Sequence, residues 1–485
     1  MPVNKDFYTL AGSSGQSTGF TIKNSLRFND DDSGFILDGG TDAGDTRKKN
    51  TWSLWVKRGN LGSLMYIGAY RYDATNYQYL SFDSSNRLEF TDVTGGSVQA
   101  KLITNRVFRD PAAWYHIVAA WDTAAVSSAS RIILYVNGIR ETNFNTQTLP
   151  SENADSGGAG RADARLRFGT YDATGNYLDG YLAEVHYTDN YAYDPSSFGE
   201  LKEDTDIWIP KEADVSYGSA GAYLDFETSG TLGANAKGKG NFSLSGVTTH
   251  DQMTDTPTNN FAVINSVYAD DAAAGNAGTL SNGNLQYVGG GSTFSVKGLT
   301  YNLPKSGKWY FEYMIGGSLD GFGYVIEGQQ TTINASNGPG HLSVSQGGGI
   351  QYHGWRNGGN ATVNFMDSNT GSPFSAGFIH QVAIDVDGGK FYYGVKNTYY
   401  AADTGTDGNP SAGTNHIATF AFSTNDIVLL AGNYSGTQYW NFGQDGTFAG
   451  QQTAQGNSDA NGIGNFFYAV PTGYLALCSS NLGAV

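Results

Sequence analysis

Trp114-Tyr-His-Ile-Val-Ala-Ala-Trp121 and, a short way on, Arg131-Ile-Ile-Leu-Tyr-Val136 are apolar runs of strand length, and Asn137-Gly138 closes the second. Asn and Gly both tolerate positive φ, so this pair reads as a two-residue hairpin turn. Working outward, Trp52-Ser-Leu-Trp-Val56, Tyr79-Leu-Ser-Phe82 and Arg87-Leu-Glu-Phe90 alternate in character and are bounded by Asp, Ser, Asn or Gly. The C-terminal half repeats the pattern at Lys308-Trp-Tyr-Phe-Glu-Tyr-Met314, Phe322-Gly-Tyr-Val-Ile326, Gln381-Val-Ala-Ile-Asp-Val386, Lys390-Phe-Tyr-Tyr393 and Ile427-Val-Leu-Leu430. Helical spacing is almost missing, with Ser196 to Leu201 as a single turn. Many short strands separated by turn signals predict an all-β chain of two tandem antiparallel β-sandwiches.

Composition agrees. Of 485 residues, 66 are Gly and 31 are Tyr, while 11 are Pro, which suits pleated sheets with Gly-rich turns and not collagen or Pro-rich disorder. The formal charge of −17 leaves little excess cation to release counterions, so the sequence points away from nucleic acid and from anionic membranes. A single cysteine, Cys478, excludes an internal disulfide and a cysteine-built metal site. No run approaches eighteen apolar residues, and the N-terminus lacks the basic start and apolar stretch of a secretory signal. The expectation is a soluble product of the host cytoplasm without membrane insertion.

Charge also divides the chain. Residues 1–250 hold 22 of the 28 basic and 30 of the 45 acidic residues, which predicts two units of different origin. Residues 230–255 are small and polar with isolated apolar residues and no period, and read as a linker. The expected organisation is an N-terminal arm over 1–17, a sandwich over 18–229, the linker over 230–255 and a second sandwich over 256–485. Tyr72-Asp-Ala-Thr75 and Tyr171-Asp-Ala-Thr174 echo each other. Two similar hairpin turns are the simpler reading, and a paired polar rim the sharper one.

Catalytic signatures are weak. A retaining glycosidase needs two carboxyl groups about 5 Å apart, as E-x-D-x-x-E on one strand would supply; Glu212-Ala-Asp214 is followed by Tyr217 where the second Glu should stand. Glu184 and Asp189 lie five apart, on opposite faces of an extended strand. The seven histidines never fall three to five apart, and no G-x-S-x-G elbow occurs. No catalytic residue and no required cofactor is therefore assigned. Aromatic and amide side chains that could stack on sugar rings remain: Tyr66, Tyr70, Tyr72 and Tyr77 in the first half, and Tyr352, Trp355 and Arg356 in Gln351-Tyr-His-Gly-Trp-Arg-Asn357 of the second.

Ser25-Leu-Arg-Phe-Asn-Asp-Asp-Asp-Ser33, Trp52 to Arg58, Arg109-Asp-Pro-Ala-Ala-Trp-Tyr-His-Ile-Val118, Leu134-Tyr-Val-Asn-Gly138 and Gly180-Tyr-Leu-Ala-Glu-Val185 resemble the motifs of laminin-G-like, concanavalin A-like domains. The wording is similar to virion proteins of marine tailed bacteriophages, including the Pro195 to Glu200 segment. The second half resembles a SPRY-type sandwich at Gly307-Lys-Trp-Tyr-Phe-Glu312, Gly321-Phe-Gly-Tyr-Val325, Val382 to Gly388, Lys390 to Tyr393 and Tyr439-Trp-Asn-Phe-Gly443. Its loops at 327–349 and 398–416 exceed a minimal SPRY core.

The laminin-G-like resemblance implies a structural calcium at the sheet rim, with Asp30, Asp31, Asp32, Asp73 and Asp172 as candidate ligands. The phage resemblance implies a non-catalytic virion component, a fibre, appendage or capsid decoration on the particle exterior. Its partners would be other virion structural proteins, through the Met1 to Ser17 arm, and a host-surface glycan or protein; a homo-oligomer, as a trimer, is the expected assembly. The alternatives are a virion-associated glycosidase that depolymerises host polysaccharide and, less favoured, a bacterial surface adhesin.

Overall fold

The computed structural model describes residues 19–39, 43–203, 205–238, 240–270, 278–290, 295–316, 320–326, 341–347, 350–357, 361–366, 376–401, 406–419, 427–433 and 436–482. Strand accounts for 44% of the structure and helix for 4%, which places the chain in the all-β class. The chain divides into two compact units at Asn259–Asn260.

The first unit runs through β1 (Ser25–Phe28), β2 (Phe35–Leu37), β3 (Lys49–Arg58), β4 (Met65–Asp73), β5 (Asn76–Phe82), β6 (Arg87–Thr94), β7 (Ser97–Val107), β8 (Trp114–Asp122) and β9 (Ile132–Val136). It continues with β10 (Ile139–Arg140), β11 (Phe144–Thr148), β12 (Arg165–Phe168), β13 (Gly180–Asp189), β14 (Gly199–Leu201), β15 (Trp208–Pro210), β16 (Ala222–Leu224), β17 (Ser243–Ser245) and β18 (Gln252–Met253). One sheet has the order β10-β9-β8-β3-β13-β1-β18, with β16 also on β13; the other has the order β11-β7-β6-β5-β4-β12-β2-β17. Every pairing within them is antiparallel. Alternation turns Trp52, Leu54, Val56, Ile117, Ala119 and Trp121 of one sheet toward Leu80, Phe82, Phe90, Leu102, Leu166 and Phe168 of the other, and these form one buried cluster. The Asn137-Gly138 turn forms as expected: Ile139 pairs Val136, with φ of 49° at Asn137 and 76° at Gly138.

The expected linker is part of this sandwich. Leu232, Phe242 and Val247 enter the main core cluster, β17 pairs β2, and β18 pairs β1. Lys57 and Asp255 form an ion pair at 2.7 Å with both side chains fully buried, and Trp114 Nε1–H donates to the same carboxylate at 3.1 Å. Single apolar residues dropped into the core from irregular backbone carry no period, so the stretch resembles a linker by composition while its contacts hold it in place.

The second unit contains β19 (Ile264–Asp270), β20 (Thr279–Ser281), β21 (Gln286–Val288), β22 (Ser295–Asn302), β23 (Lys308–Ile315), β24 (Asp320–Ile326), β25 (His341–Gly347) and β26 (Ile350–Asn357). There follow β27 (Ala361–Met366), β28 (Ile379–Asp385), β29 (Lys390–Val395), β30 (Thr398–Tyr399), β31 (Ala418–Thr419), β32 (Ile427–Asn433), β33 (Thr437–Asn441) and β34 (Leu475–Ala476). A sheet of order β19-β22-β32-β24-β25-β26-β27 faces one of order β20-β21-β33-β23-β28-β29-β30, with β31 on β29 and β34 on β23. Leu299 and Leu429 of the first meet Phe311, Tyr313, Val382 and Trp440 of the second in a shared core. Glu312 is buried here and accepts from the backbone N–H of Phe467 and Tyr468, each at 2.8 Å, and from Tyr310 Oη–H at 2.7 Å. Among the described residues no helix is long and apolar enough to cross a membrane.

Candidate functional site

On the β4–β5–β6–β12 sheet the face turned away from the core is set by register. Arg165 pairs Arg71, which pairs Tyr77; one row over, Arg167 pairs Ala69, which pairs Tyr79, then Thr91, then Lys101. Residues paired this way share a face. This row structure gathers the side chains of five adjacent strands on one surface.

Tyr171, from the turn after β12, lies against three other tyrosines. Its ring centroid is 4.9 Å from Tyr77, 5.2 Å from Tyr66 and 6.0 Å from Tyr79. Tyr66 and Tyr79 meet edge-on at 5.1 Å. All four are half-buried, so each keeps part of its ring toward water. The Arg71 guanidinium lies 5.1 Å from the Tyr171 ring centroid, a cation–π contact. Tyr79 Oη–H donates to Glu89 at 2.7 Å, and Lys101 Nζ pairs the same carboxylate at 2.9 Å. Burial pushes the Tyr66 phenol up to about 12 and raises Tyr171 and Tyr79 as well. Tyr66, Tyr79 and Tyr171 are therefore neutral phenols at any physiological pH.

Of the sequence candidates, Tyr66 and Tyr77 stand in this cluster, and Tyr72 is exposed under the Arg161 guanidinium, 3.7 Å from its ring centroid. Tyr70 does not serve: it is 2% exposed and packs on Tyr187 in the core. A bulge interrupts the β4–β5 pairing between Tyr66 and Gly68, so Tyr66 and Tyr70, although of one parity, face opposite ways. Gln351 to Asn357 is not a loop but lies within β26, between β25 and β27. The side chains of Tyr352, Trp355 and Arg356 lie outside the described residues, as does the arm over 1–17. Sequence reasoning missed Arg71, Tyr79, Arg165, Arg167 and Tyr171; the alternation Arg165-Leu-Arg-Phe168 was the available signal.

Three of the five calcium candidates, Asp32, Asp73 and Asp172, are engaged by neighbours in their own turns. Asp73 Oδ1 accepts from the Thr75 N–H and hydroxyl at 2.7 and 2.9 Å, and Asp172 Oδ1 from the Thr174 N–H and hydroxyl at 3.1 and 2.5 Å. The echoed motif thus makes two equivalent turns, each using its own carboxylate. Asp32 Oδ2 accepts from Asn29. Among the described residues no three acidic, His or Cys side chains gather to hold a metal ion.

On the other sheet, Ser53 Oγ lies 2.9 Å from His116 Nε2, the spacing of a nucleophile and its base. The third group forbids that role. Trp208 Nε1–H can only donate, and it donates to His116 Nδ1 at 2.9 Å. Nε2 must then carry the proton and donate to Ser53, leaving no base to activate the hydroxyl. Burial, reinforced by the nearby His186, lowers His116 to about 3 and keeps it neutral. Glu184 accepts from Tyr223 Oη–H at 3.1 Å and pairs with His186 at 3.4 Å, while Asp189 accepts from the Asp45 and Ala220 N–H groups. These two acids are separately committed, and Glu212 and Asp214 are both exposed.

Residues 29–191 match the Laminin_G_3 model of the concanavalin A-like lectin/glucanases superfamily. The first sandwich is a laminin-G-type, concanavalin A-like lectin fold. No curated protein matches the sequence. Among solved structures, a putative carbohydrate binding protein from Bacteroides ovatus is 14% identical, covering 47% of this chain and 59% of its own, with a TM-score of 0.33; this chain thus spans less than two thirds of that protein. Mouse laminin alpha1 domains LG4-5 are 11% identical over 87% of this chain and 90% of theirs, at 0.30. The SPRY domain of human HERC1 is 10% identical over 36% of this chain and 96% of its own, at 0.26. Likenesses at this level carry no weight for ligand or activity.

Proposed function

We propose that this chain is a non-catalytic carbohydrate-binding protein whose laminin-G-type sandwich holds glycan on the Tyr66–Tyr77–Tyr79–Tyr171 platform. The observation that carries the reading is the cluster itself: four partly exposed tyrosine rings with centroid separations from 4.9 to 6.0 Å, fixed by sheet register and by the Glu89 contact. Apolar ring faces flanked by hydrogen-bond donors suit the alternating C–H and hydroxyl surface of a sugar. The lectin-type fold of residues 29–191 supports the same role. Calorimetry of the full chain against neutral and acidic oligosaccharides tests it. Binding weakened about tenfold by Tyr77→Ala, a typical cost for a central aromatic contact, is expected; no binding to any of them overturns it.

The finer reading is a structural virion component of a tailed phage that presents this surface to a host-surface glycan. It rests on the resemblance carried by Ser25 to Ser33, Trp52 to Arg58 and Arg109 to Val118. Imaging of particles labelled with an antibody to this chain tests it, with label on the particle exterior as the expected result. New reducing ends released from host polysaccharide with turnover would replace the binding role by a glycosidase.

A further inference from the structure

In a chain with 45 acidic and 28 basic residues, one surface collects three arginines. Arg165 and Arg71 are direct cross-strand partners, and Arg167 is two residues from Arg165 on the same face of β12. Like charges placed directly opposite on a sheet repel, so the arrangement costs stability unless something pays for it.

Their own contacts leave donors over. Arg167 Nη1 donates to the Tyr171 carbonyl at 3.2 Å, and Arg165 Nη2 donates to the Asp38 carbonyl. Arg165 Nε forms an ion pair with Asp38 Oδ1 at 3.7 Å, too long for a hydrogen bond. The buried Nε–H groups of Arg71, Arg165 and Arg167 find no acceptor among the described residues. The acids that face the cluster are Asp38 and Asp172, and Asp172 is already engaged by Thr174. Glu89, at the far side of the platform, is taken by Lys101, Tyr79 and Thr91. Burial depresses Arg167, and Arg71 and Arg165 add to the effect. Burial also raises Asp38 to about 6 despite its arginine neighbours.

We infer that the tyrosine platform takes an acidic glycan, with a uronate carboxylate seated on Arg71, Arg165 and Arg167 while the sugar rings lie on Tyr77 and Tyr171. Guanidinium forks match a planar carboxylate with two parallel hydrogen bonds, and an incoming anion relieves the mutual repulsion of the three cations. Tyr171 links the halves of the site: its ring meets both Tyr77 and the Arg71 guanidinium, and its carbonyl accepts from Arg167. This rests on the glycan-binding reading above and adds the charge of the ligand to it.

The test uses the full chain and three probes by calorimetry: an oligogalacturonate, the same oligosaccharide with its carboxyl groups reduced to alcohols, and a sulfated neutral oligosaccharide of equal length. The oligogalacturonate should bind about tenfold or more tighter than its reduced form, the scale of one charge-assisted contact. Its affinity should fall as salt rises. Arg165→Gln, at a partly exposed position, should abolish most of the difference between acid and alcohol without lowering the melting temperature, and Arg165→Lys should restore part of it. Tyr77→Ala should weaken both forms alike. Equal binding of acid and alcohol would overturn the acidic-ligand inference and leave the glycan reading standing. Sulfated probe bound as tightly as the uronate would overturn the carboxylate assignment. No binding by any probe would defeat both.

Discussion

Lys57→Met isolates the contact that ties the segment before Asn259 to the first sandwich. The ammonium and the Asp255 carboxylate are both fully buried and 2.7 Å apart. Without Lys57, Asp255 keeps the Trp114 indole N–H at 3.1 Å as a side-chain donor, and its charge remains out of water. Breaking a buried pair by removing one partner costs about 3–5 kcal/mol, because the survivor is left uncompensated. For a unit of this size about 1 kcal/mol shifts the melting temperature by about 2–4 °C, so the first unit should melt on the order of 10 °C lower. Differential scanning calorimetry of the full chain, fitted with separate transitions for the two units, reads this directly. The double variant Lys57→Met/Asp255→Leu should recover most of the loss, since an apolar pair of similar volume replaces a buried ion pair at little cost. A single variant that melts within 2 °C of the parent would refute the claim that residues 230–255 are structurally integrated.

Glu312 supplies a pH test in the second unit. Burial raises its carboxyl to about 7 against four donated hydrogen bonds. Between the usual range near 4.5 and about 7 the folded state holds a proton that the unfolded state has released, so stability should fall as pH rises through that window, by up to about 3 kcal/mol. Melting the second unit at pH 5 and pH 7.5 checks the sign, and Glu312→Gln should flatten the dependence. Gly138→Val should destabilise the first unit by about 1–3 kcal/mol, because φ is 76° there and a Cβ would meet the Trp208 ring at 2.4 Å; thermal melting with tryptophan fluorescence would show it. A fluorophosphonate probe should leave Ser53 unlabelled, as the His116 tautomer requires; stoichiometric labelling by mass spectrometry would contradict that assignment.

The runs at Trp114 to Trp121 and Arg131 to Val136 were legible because a strand buried on its inner face needs no partner knowledge to declare itself, and Asn137-Gly138 names its own turn. The tyrosine–arginine surface was less so. A bulge in the β4–β5 pairing between Tyr66 and Gly68 breaks the two-residue period between Tyr66 and Tyr70, so parity alone assigns Tyr70 to the wrong face. Arg71 and Arg165 lie far apart in sequence and become neighbours through the β4–β12 register, which periodicity cannot supply. The Asp-Ala-Thr echo did announce its structure: each Asp closes its own turn. Residues 230–255 were misread because Leu232, Phe242 and Val247 are each alone in polar surroundings, yet each reaches the core.

A crystal structure of the full chain with a bound oligogalacturonate tests the central claim most directly. The account predicts sugar rings against Tyr77 and Tyr171 with a carboxylate on the Arg71–Arg165–Arg167 cluster and the glycosidic bonds intact. Sugar lodged elsewhere, or cleaved beside Glu184, would contradict it.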